Sequence, residues 1–173
     1  MSLKIIGVIG SSKEIPELND TAQKLGELIM QNGYSVVCGG REGVMQAVCK
    51  GASIAKRADK KLQGQIIGIL PGTEKTDGNP YLDIRIPTGV GWARNQIVVL
   101  SSDIIVVVGG SAGTLNEIAF AWSYKKTILA FENLNGWCAK VAGTQIDDTR
   151  TDKIISISSA EEALHVINEI FNA

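Results

Sequence analysis

The sequence is poor in the residues that build metal and redox centres. It has one histidine, His165, and three cysteines, Cys38, Cys49 and Cys138, none spaced to surround a metal. No metal held by protein ligands is expected. An odd number of scattered thiols suits a reducing compartment, where cysteine serves as a small apolar residue. No apolar run approaches the ~20 residues of a membrane helix. Met1-Ser-Leu-Lys-Ile leads directly into a predicted strand, so a cytoplasmic protein is expected. Charge of one sign is also lacking: 17 Lys and Arg balance 18 Asp and Glu, for a formal net charge of −1. Lys and Arg are otherwise scattered, with Lys56-Arg57 and Lys60-Lys61 paired on an expected solvated helix end, and no basic run appears, which argues against nucleic acid as a partner.

Two nucleotide signatures are missing as well. Gly7-Val-Ile-Gly10-Ser-Ser lacks the third glycine of a dinucleotide fingerprint, and Cys38-Gly39 stands where an acidic residue would close the second strand. No Gly-x-x-x-x-Gly-Lys-Ser/Thr stretch occurs. NAD enzymes and P-loop NTPases are thereby excluded.

What the chain does have is 173 residues with 45% hydrophobic content, enough for one domain over 1–173 with a full core. Its most informative stretch runs from Asp103 to Glu117. Ile104 to Val108 is wholly apolar, the mark of a strand buried on both faces in a parallel sheet. Gly109-Gly-Ser-Ala-Gly-Thr114 then turns into a helix starting near Ala112. Leu115, Ile118, Ala119 and Trp122 follow helical spacing, with Phe120, Ala121 and Tyr124 on another face. A helix apolar on two faces is expected between its own sheet and a second subunit.

Strands are further predicted at Leu3 to Ile9, Tyr34 to Cys38, Ile66 to Leu70, Leu82 to Ile86, Thr127 to Phe131 and Ile154 to Ile157. Helical stripes lie between them, through Ala22, Leu25, Ile29 and Met30, and through Val44, Val48, Ala52 and Ala55. Ser159 with Glu162 forms a capping box for a final helix. Residues Glu132 to Asp152 read as turns around a short hairpin. The alternation predicts an α/β fold: a three-layer, Rossmann-like, doubly wound and mostly parallel β-sheet flanked by helices.

Ligands in such sheets bind beyond the carboxyl ends of the strands. Three strand ends carry small-residue turns: Gly10, Ser11 and Ser12; Gly39, Gly40, Arg41 and Gly43; and Gly109, Gly110, Ser111, Gly113 and Thr114. Glycine lets a ligand approach the backbone, and a helix N-terminus offers free N–H groups, so a phosphorylated small ligand is expected. Arg94 falls in the first turn of a helix, where the dipole disfavours a cation. That placement points to an anion clamp, with a structural ion pair to Glu117 as the plainer reading. Asn95 can donate to the same ligand or satisfy the helix start. Glu117 suits a general acid–base, an anchor for ribose-like hydroxyls, or simply a carboxylate near a helix start. Trp92 suits stacking on a flat heterocycle or an interface.

Gly39-Gly-Arg-Glu-Gly-Val-Met45, Ala93-Arg94-Asn95 and Gly109-Gly-Ser-Ala-Gly-Thr-Leu-Asn-Glu117 together resemble the Rossmann-like superfamily once labelled lysine decarboxylase-like. It includes LOG-type phosphoribohydrolases and molybdenum cofactor carrier proteins. The resemblance spans nearly the whole chain. The LOG-type motif is Pro-Gly-Gly-x-Gly-Thr-x-x-Glu with an Arg-Lys pair; Arg94, Gly113, Thr114 and Glu117 match it, while Gly109, Ser111 and Asn95 depart from it. Those departures, with the Ala-Arg-Asn triplet, make the chain more similar to the carrier branch. The resemblance implies a homo-oligomer, dimer or tetramer, that binds and protects the molybdenum cofactor and hands it to molybdoenzymes or cofactor-synthesis proteins. Phosphate or oxo-anion contacts would then fall on Ser11, Gly40, Arg41, Gly43, Arg94, Gly110, Ser111, Gly113 and Thr114, and no residue would ligate molybdenum. The resemblance to the LOG-type enzymes implies instead hydrolysis of the N-glycosidic bond of a nucleoside 5′-monophosphate, with Arg94 and Glu117 as catalytic residues. A sensor of a nucleotide-like ligand would use the same turns.

Overall fold

The structure is a computed structural model and describes residues 3–173. Seven strands form one sheet: β1 (Ile5–Gly10), β2 (Ser35–Cys38), β3 (Ile66–Leu70), β4 (Ile84–Pro87), β5 (Ile104–Val108), β6 (Thr127–Phe131) and β7 (Ile155–Ile157). Their order is β4-β3-β2-β1-β5-β6-β7, and every pairing is parallel. The expected doubly wound α/β architecture is therefore present. Strand order reverses between β1 and β5, whose register runs from Ile6 opposite Ile104 to Gly10 opposite Val108. This junction is the switch point at which such sheets open a crevice.

Six helices flank the sheet: α1 (Pro16–Gln31), α2 (Val44–Ala58), α3 (Arg94–Leu100), α4 (Ala112–Ser123), α5 (Trp137–Val141) and α6 (Ala160–Asn172). Helix α1 packs against α2 and α6, and α3 packs against α4. The central strands carry no polar face: every residue of β2 and β5 is buried, because helices cover both sides. Ser159 caps α6 by accepting the N–H of Glu162 at 3.1 Å. The Glu162 carboxylate reaches back one residue further than expected and accepts from the Ser158 N–H at 2.7 Å.

Three expectations need correcting. Helix α4 buries Thr114, Glu117, Ile118, Ala121 and Trp122, whereas Leu115 is half-buried and Ala119 is exposed. Two polar residues, Thr114 and Glu117, point inward to the site and rotate the buried stripe by one position. Second, strand β4 starts at Ile84, because Leu82 turns down to pack over Gly68. Third, no hairpin occurs in 132–152. That segment holds the five-residue helix α5 and turns that strap the far end of α4. There Trp122 Nε1 donates to Asp147 Oδ1 at 2.7 Å, and the Arg150 guanidinium lies 4.4 Å from the Trp122 ring centre. Arg150 also donates to the carbonyls of Trp122 and Lys126. His165 stays on the surface beside Glu169.

Candidate functional site

The sheet's switch point opens into a cavity of about 390 Å³, within the range of small-molecule sites. Its walls come from the ends of β1, β2, β3 and β5 and from the starts of α2, α3 and α4. Of the residues expected from sequence, Gly10, Ser12, Gly39, Arg41, Trp92, Arg94, Asn95, Ser111, Gly113, Thr114 and Glu117 line it. Sequence reading missed Val8, Ile9, Glu42, Met45, Pro71 and Gly91. Glu42 and Met45 lie inside the Gly39-to-Met45 stretch already singled out. Pro71 could have been found from the rule that strand ends of parallel sheets face the ligand.

Five expected residues sit behind the walls instead. Ser11 turns its hydroxyl to its own loop, where it accepts the Lys13 N–H at 3.0 Å, and its carbonyl accepts the Val44 N–H. Gly40 packs against Gly68 and Leu70, and its carbonyl accepts the Asn79 N–H at 2.9 Å. Gly43 opens α2 with φ +65° and donates its N–H to Glu14 at 3.4 Å. Gly109 and Gly110 both have positive φ, +67° and +108°, and shape the β5–α4 turn from below. That turn is held by the start of α5, in the segment expected to form a hairpin. Trp137 N–H donates to the Gly110 carbonyl, Cys138 N–H to the Gly109 carbonyl, and Gly109 N–H to the Cys138 sulfur at 3.1 Å.

Helix α4 ends in the cavity wall without a side-chain cap, since Ser111 accepts no bond from the first turn. Its leading N–H groups and positive dipole end are left for whatever occupies the space. Thr114 spends its hydroxyl on the Gly10 carbonyl at 3.0 Å, joining the β1 and β5 turns. The ring of Trp92 lies over Gly113, where a Cβ would stand 3.0 Å from Cζ3, and 77% of Trp92 remains exposed at the cavity rim.

Arg94 and Glu117 form the polar floor, with 7% and 6% exposure. Arg94 Nη1 is 3.6 Å from Glu117 Oε1 and donates to Asn95 Oδ1 at 2.6 Å. Asn95 in turn donates to Asn116 at 3.0 Å. Arg94 Nε has no partner among the described residues. Gly39 makes room for the guanidinium, because a side chain there would collide with it. Burial pushes the Glu117 carboxyl up to about 8, with the positive charge of Arg94 opposing. Burial also holds Arg94 below its ordinary value, with Glu117 opposing that shift. Among the described residues, no group of three or more His, Cys, Asp or Glu is arranged to hold a metal ion.

A parallel, doubly wound sheet with a cavity at its switch point, floored by a buried Arg–Glu pair, defines a Rossmann-like α/β protein. The chain belongs to the SLOG cluster4 family, whose sequence profile matches residues 3–164. It is 33% identical to the molybdenum cofactor binding protein of the phototrophic bacterium Rippkaea orientalis, covering 99% of both chains with a TM-score of 0.83. The molybdenum cofactor carrier protein of Chlamydomonas reinhardtii is 31% identical, with 98% of this chain and 99% of that one covered and a TM-score of 0.80. A cytokinin riboside 5′-monophosphate phosphoribohydrolase of Mycobacterium tuberculosis is 28% identical over 161 residues, covering 86% of this chain and 84% of the relative.

Proposed function

We propose that this chain is a molybdenum cofactor carrier, binding and protecting the cofactor in the switch-point cavity. The observation that carries the reading is the Arg94 guanidinium. It is buried in the cavity wall with Nε unpartnered, close to an uncapped α4 N-terminus. An unspent charged donor beside free helix N–H groups fits the terminal phosphate or an oxo group of the cofactor. Ser12, Arg41, Ser111 and Asn95 add donors around the same space. Ser11, Gly40, Gly43, Gly109 and Gly110 shape the turns rather than touch the ligand. The cofactor carries its own dithiolene, so no side chain need ligate molybdenum. The solved molybdenum cofactor binding protein from Rippkaea and carrier protein from Chlamydomonas, similar over nearly the whole chain, support the reading.

Residues 1–173 would act as one ligand-binding domain in the cytoplasm, passing the cofactor to molybdoenzymes or cofactor-synthesis proteins. The apolar surface on α3 and its approach supports self-association as a dimer or tetramer. Trp92, Ile97 and Leu100 are exposed there, and Tyr124 is exposed at the end of the neighbouring α4. Sedimentation of wild type against Leu100→Asp tests this, with a smaller species expected for the variant.

A second reading rests on Glu117. A carboxyl titrating near 8 is poised to give or take a proton at neutral pH. A nucleoside 5′-monophosphate phosphoribohydrolase would use it beside Arg94, as similarity to the mycobacterial enzyme suggests.

The deciding experiment is anaerobic purification from a host that makes the cofactor, followed by mass spectrometry and metal analysis. Molybdopterin with near-stoichiometric molybdenum is the expected result. An empty protein that releases adenine from AMP would overturn the carrier reading in favour of the hydrolase.

A further inference from the structure

Two thiols that play no part in ligand binding lie in contact beneath the cavity. Cys38 closes β2, Cys49 stands in the second turn of α2, and neither is exposed to solvent. Their sulfurs are 3.5 Å apart. The pair brackets the β2–α2 turn, because Cys38 immediately precedes Gly39, and Cys49 belongs to the helix that Gly43 opens. The third thiol, Cys138, is committed elsewhere, accepting the Gly109 N–H.

We propose that Cys38 and Cys49 form an oxidation site that closes into an intrachain disulfide, with a peroxide as the oxidant. The two sulfurs already touch, so closure needs side-chain rotation and a small approach of β2 to α2, with no change of topology. Their surroundings also make them unlike. The Gly40 N–H donates to the Cys38 sulfur at 3.4 Å, and the Arg94 guanidinium packs against Gly39, the next residue. The hydrogen bond shared with Cys49, that N–H and the Arg94 charge hold the Cys38 thiol below its ordinary value, against burial. The shared bond and burial push Cys49 well above its own. The Gly40 N–H and the Arg94 guanidinium both lie on the Cys38 side of the pair, which assigns Cys38 as the nucleophile and Cys49 as the thiol that resolves it.

The chemistry balances with one peroxide. Cys38, having lost its proton, attacks an oxygen of hydrogen peroxide. An S–O bond forms, the O–O bond breaks, and the departing hydroxide takes up a proton and leaves as water. The Cys49 sulfur then attacks the Cys38 sulfenic acid. An S–S bond forms, the S–O bond breaks, and the released hydroxide takes the Cys49 proton to leave as a second water. Two thiols have lost two electrons and the peroxide has gained them. Peroxide is close to water in size, and its way to the buried Cys38 runs past Gly39, which lines the cavity, once the Arg94 guanidinium packed there moves aside. The product ties the end of β2 to α2 and closes a covalent loop around Gly39, Gly40, Arg41 and Gly43. This inference does not depend on the cofactor reading.

The test uses the purified chain, reduced, desalted and treated stepwise with hydrogen peroxide. Catalase stops the reaction, and the remaining thiols are capped with N-ethylmaleimide in denaturant. Trypsin cuts after Arg41, which puts Cys38 in Leu25–Arg41 and Cys49 in Glu42–Lys50. The expected result is a chain bearing one maleimide, on Cys138, and a linked pair of those two peptides that reductant separates. In Cys49→Ala, a sulfenic acid at Cys38 trapped by dimedone is expected, with no linked pair. Sulfinic acid on Cys38 of the wild type without a linked pair would overturn the proposal. So would full capping of Cys38 and Cys49 at a peroxide dose that consumes Cys138.

Discussion

Arg94 and Glu117 face each other from the first turn of α3 and the second turn of α4, Nη1 and Oε1 3.6 Å apart, both largely buried. The separation is too long for a direct hydrogen bond, and Nη1 gives its short bond to Asn95 instead. Each group therefore keeps unspent capacity on the floor of the cavity. Charge on Glu117 is opposed by burial and favoured by Arg94, and burial is the larger influence.

The first prediction is a pH dependence of stability. The folded Glu117 titrates near 8, against an ordinary value of 4.5. Between those values the folded state holds the proton and the unfolded state has released it, so stability falls as pH rises. Glu117→Gln removes this titration. Chemical denaturation from pH 4.5 to 8 should show the wild type losing up to roughly 1.4 kcal/mol per pH unit relative to the variant, levelling above pH 8. Parallel curves would remove the buried-acid assignment.

Arg94→Lys keeps the charge but loses the planar fork and the Nε donor. Cofactor recovered with the protein should fall about tenfold or more, as expected when a hydrogen bond to a charged group worth ~1.5–3 kcal/mol is lost. Molybdopterin and molybdenum content after identical anaerobic purification is the readout, and wild-type occupancy in the variant would refute the clamp.

Gly39→Ala separates ligand binding from folding. The new methyl group meets the guanidinium end of the Arg94 side chain, not backbone. Arg94 can swing away at little cost to the fold, leaving the cavity without its donor. Cofactor content should drop nearly as far as in Arg94→Lys, while the thermal midpoint moves by only a few degrees, the shift expected of ~1 kcal/mol.

Arg150→Ala should do the reverse. Its guanidinium stacks on Trp122 and donates to two carbonyls at the end of α4 remote from the cavity. Losing these contacts should cost about 2 kcal/mol. Amide exchange in residues 144–152 should quicken, and cofactor content should stay at the wild-type level.

The glycine turns, Arg94 and Glu117 were legible from local features: small residues where a strand ends, a cation at a helix start, a carboxylate just after a glycine turn that opens a helix. The parallel sheet was legible because Ile104 to Val108 has no polar alternation. Reading failed where a polar residue points inward. Thr114 and Glu117 rotate the buried face of α4 away from the apolar positions that periodicity selects. It failed again at 132–152, whose order comes from bonds to distant partners. The contact of Cys138 with Gly109 and of Asp147 with Trp122 leaves no trace in local spacing.

The Thr114 hydroxyl, bonded to the Gly10 carbonyl, joins two turns that lie far apart along the chain. The cavity's walls are gathered from Val8 to Glu117, so no short fragment contains the site. A ligand could occupy the cavity only after β1 has found β5, a long-range pairing that closes slowly. Any bound molecule then stabilises the whole chain by mass action, which makes a rise in melting temperature a direct gauge of loading.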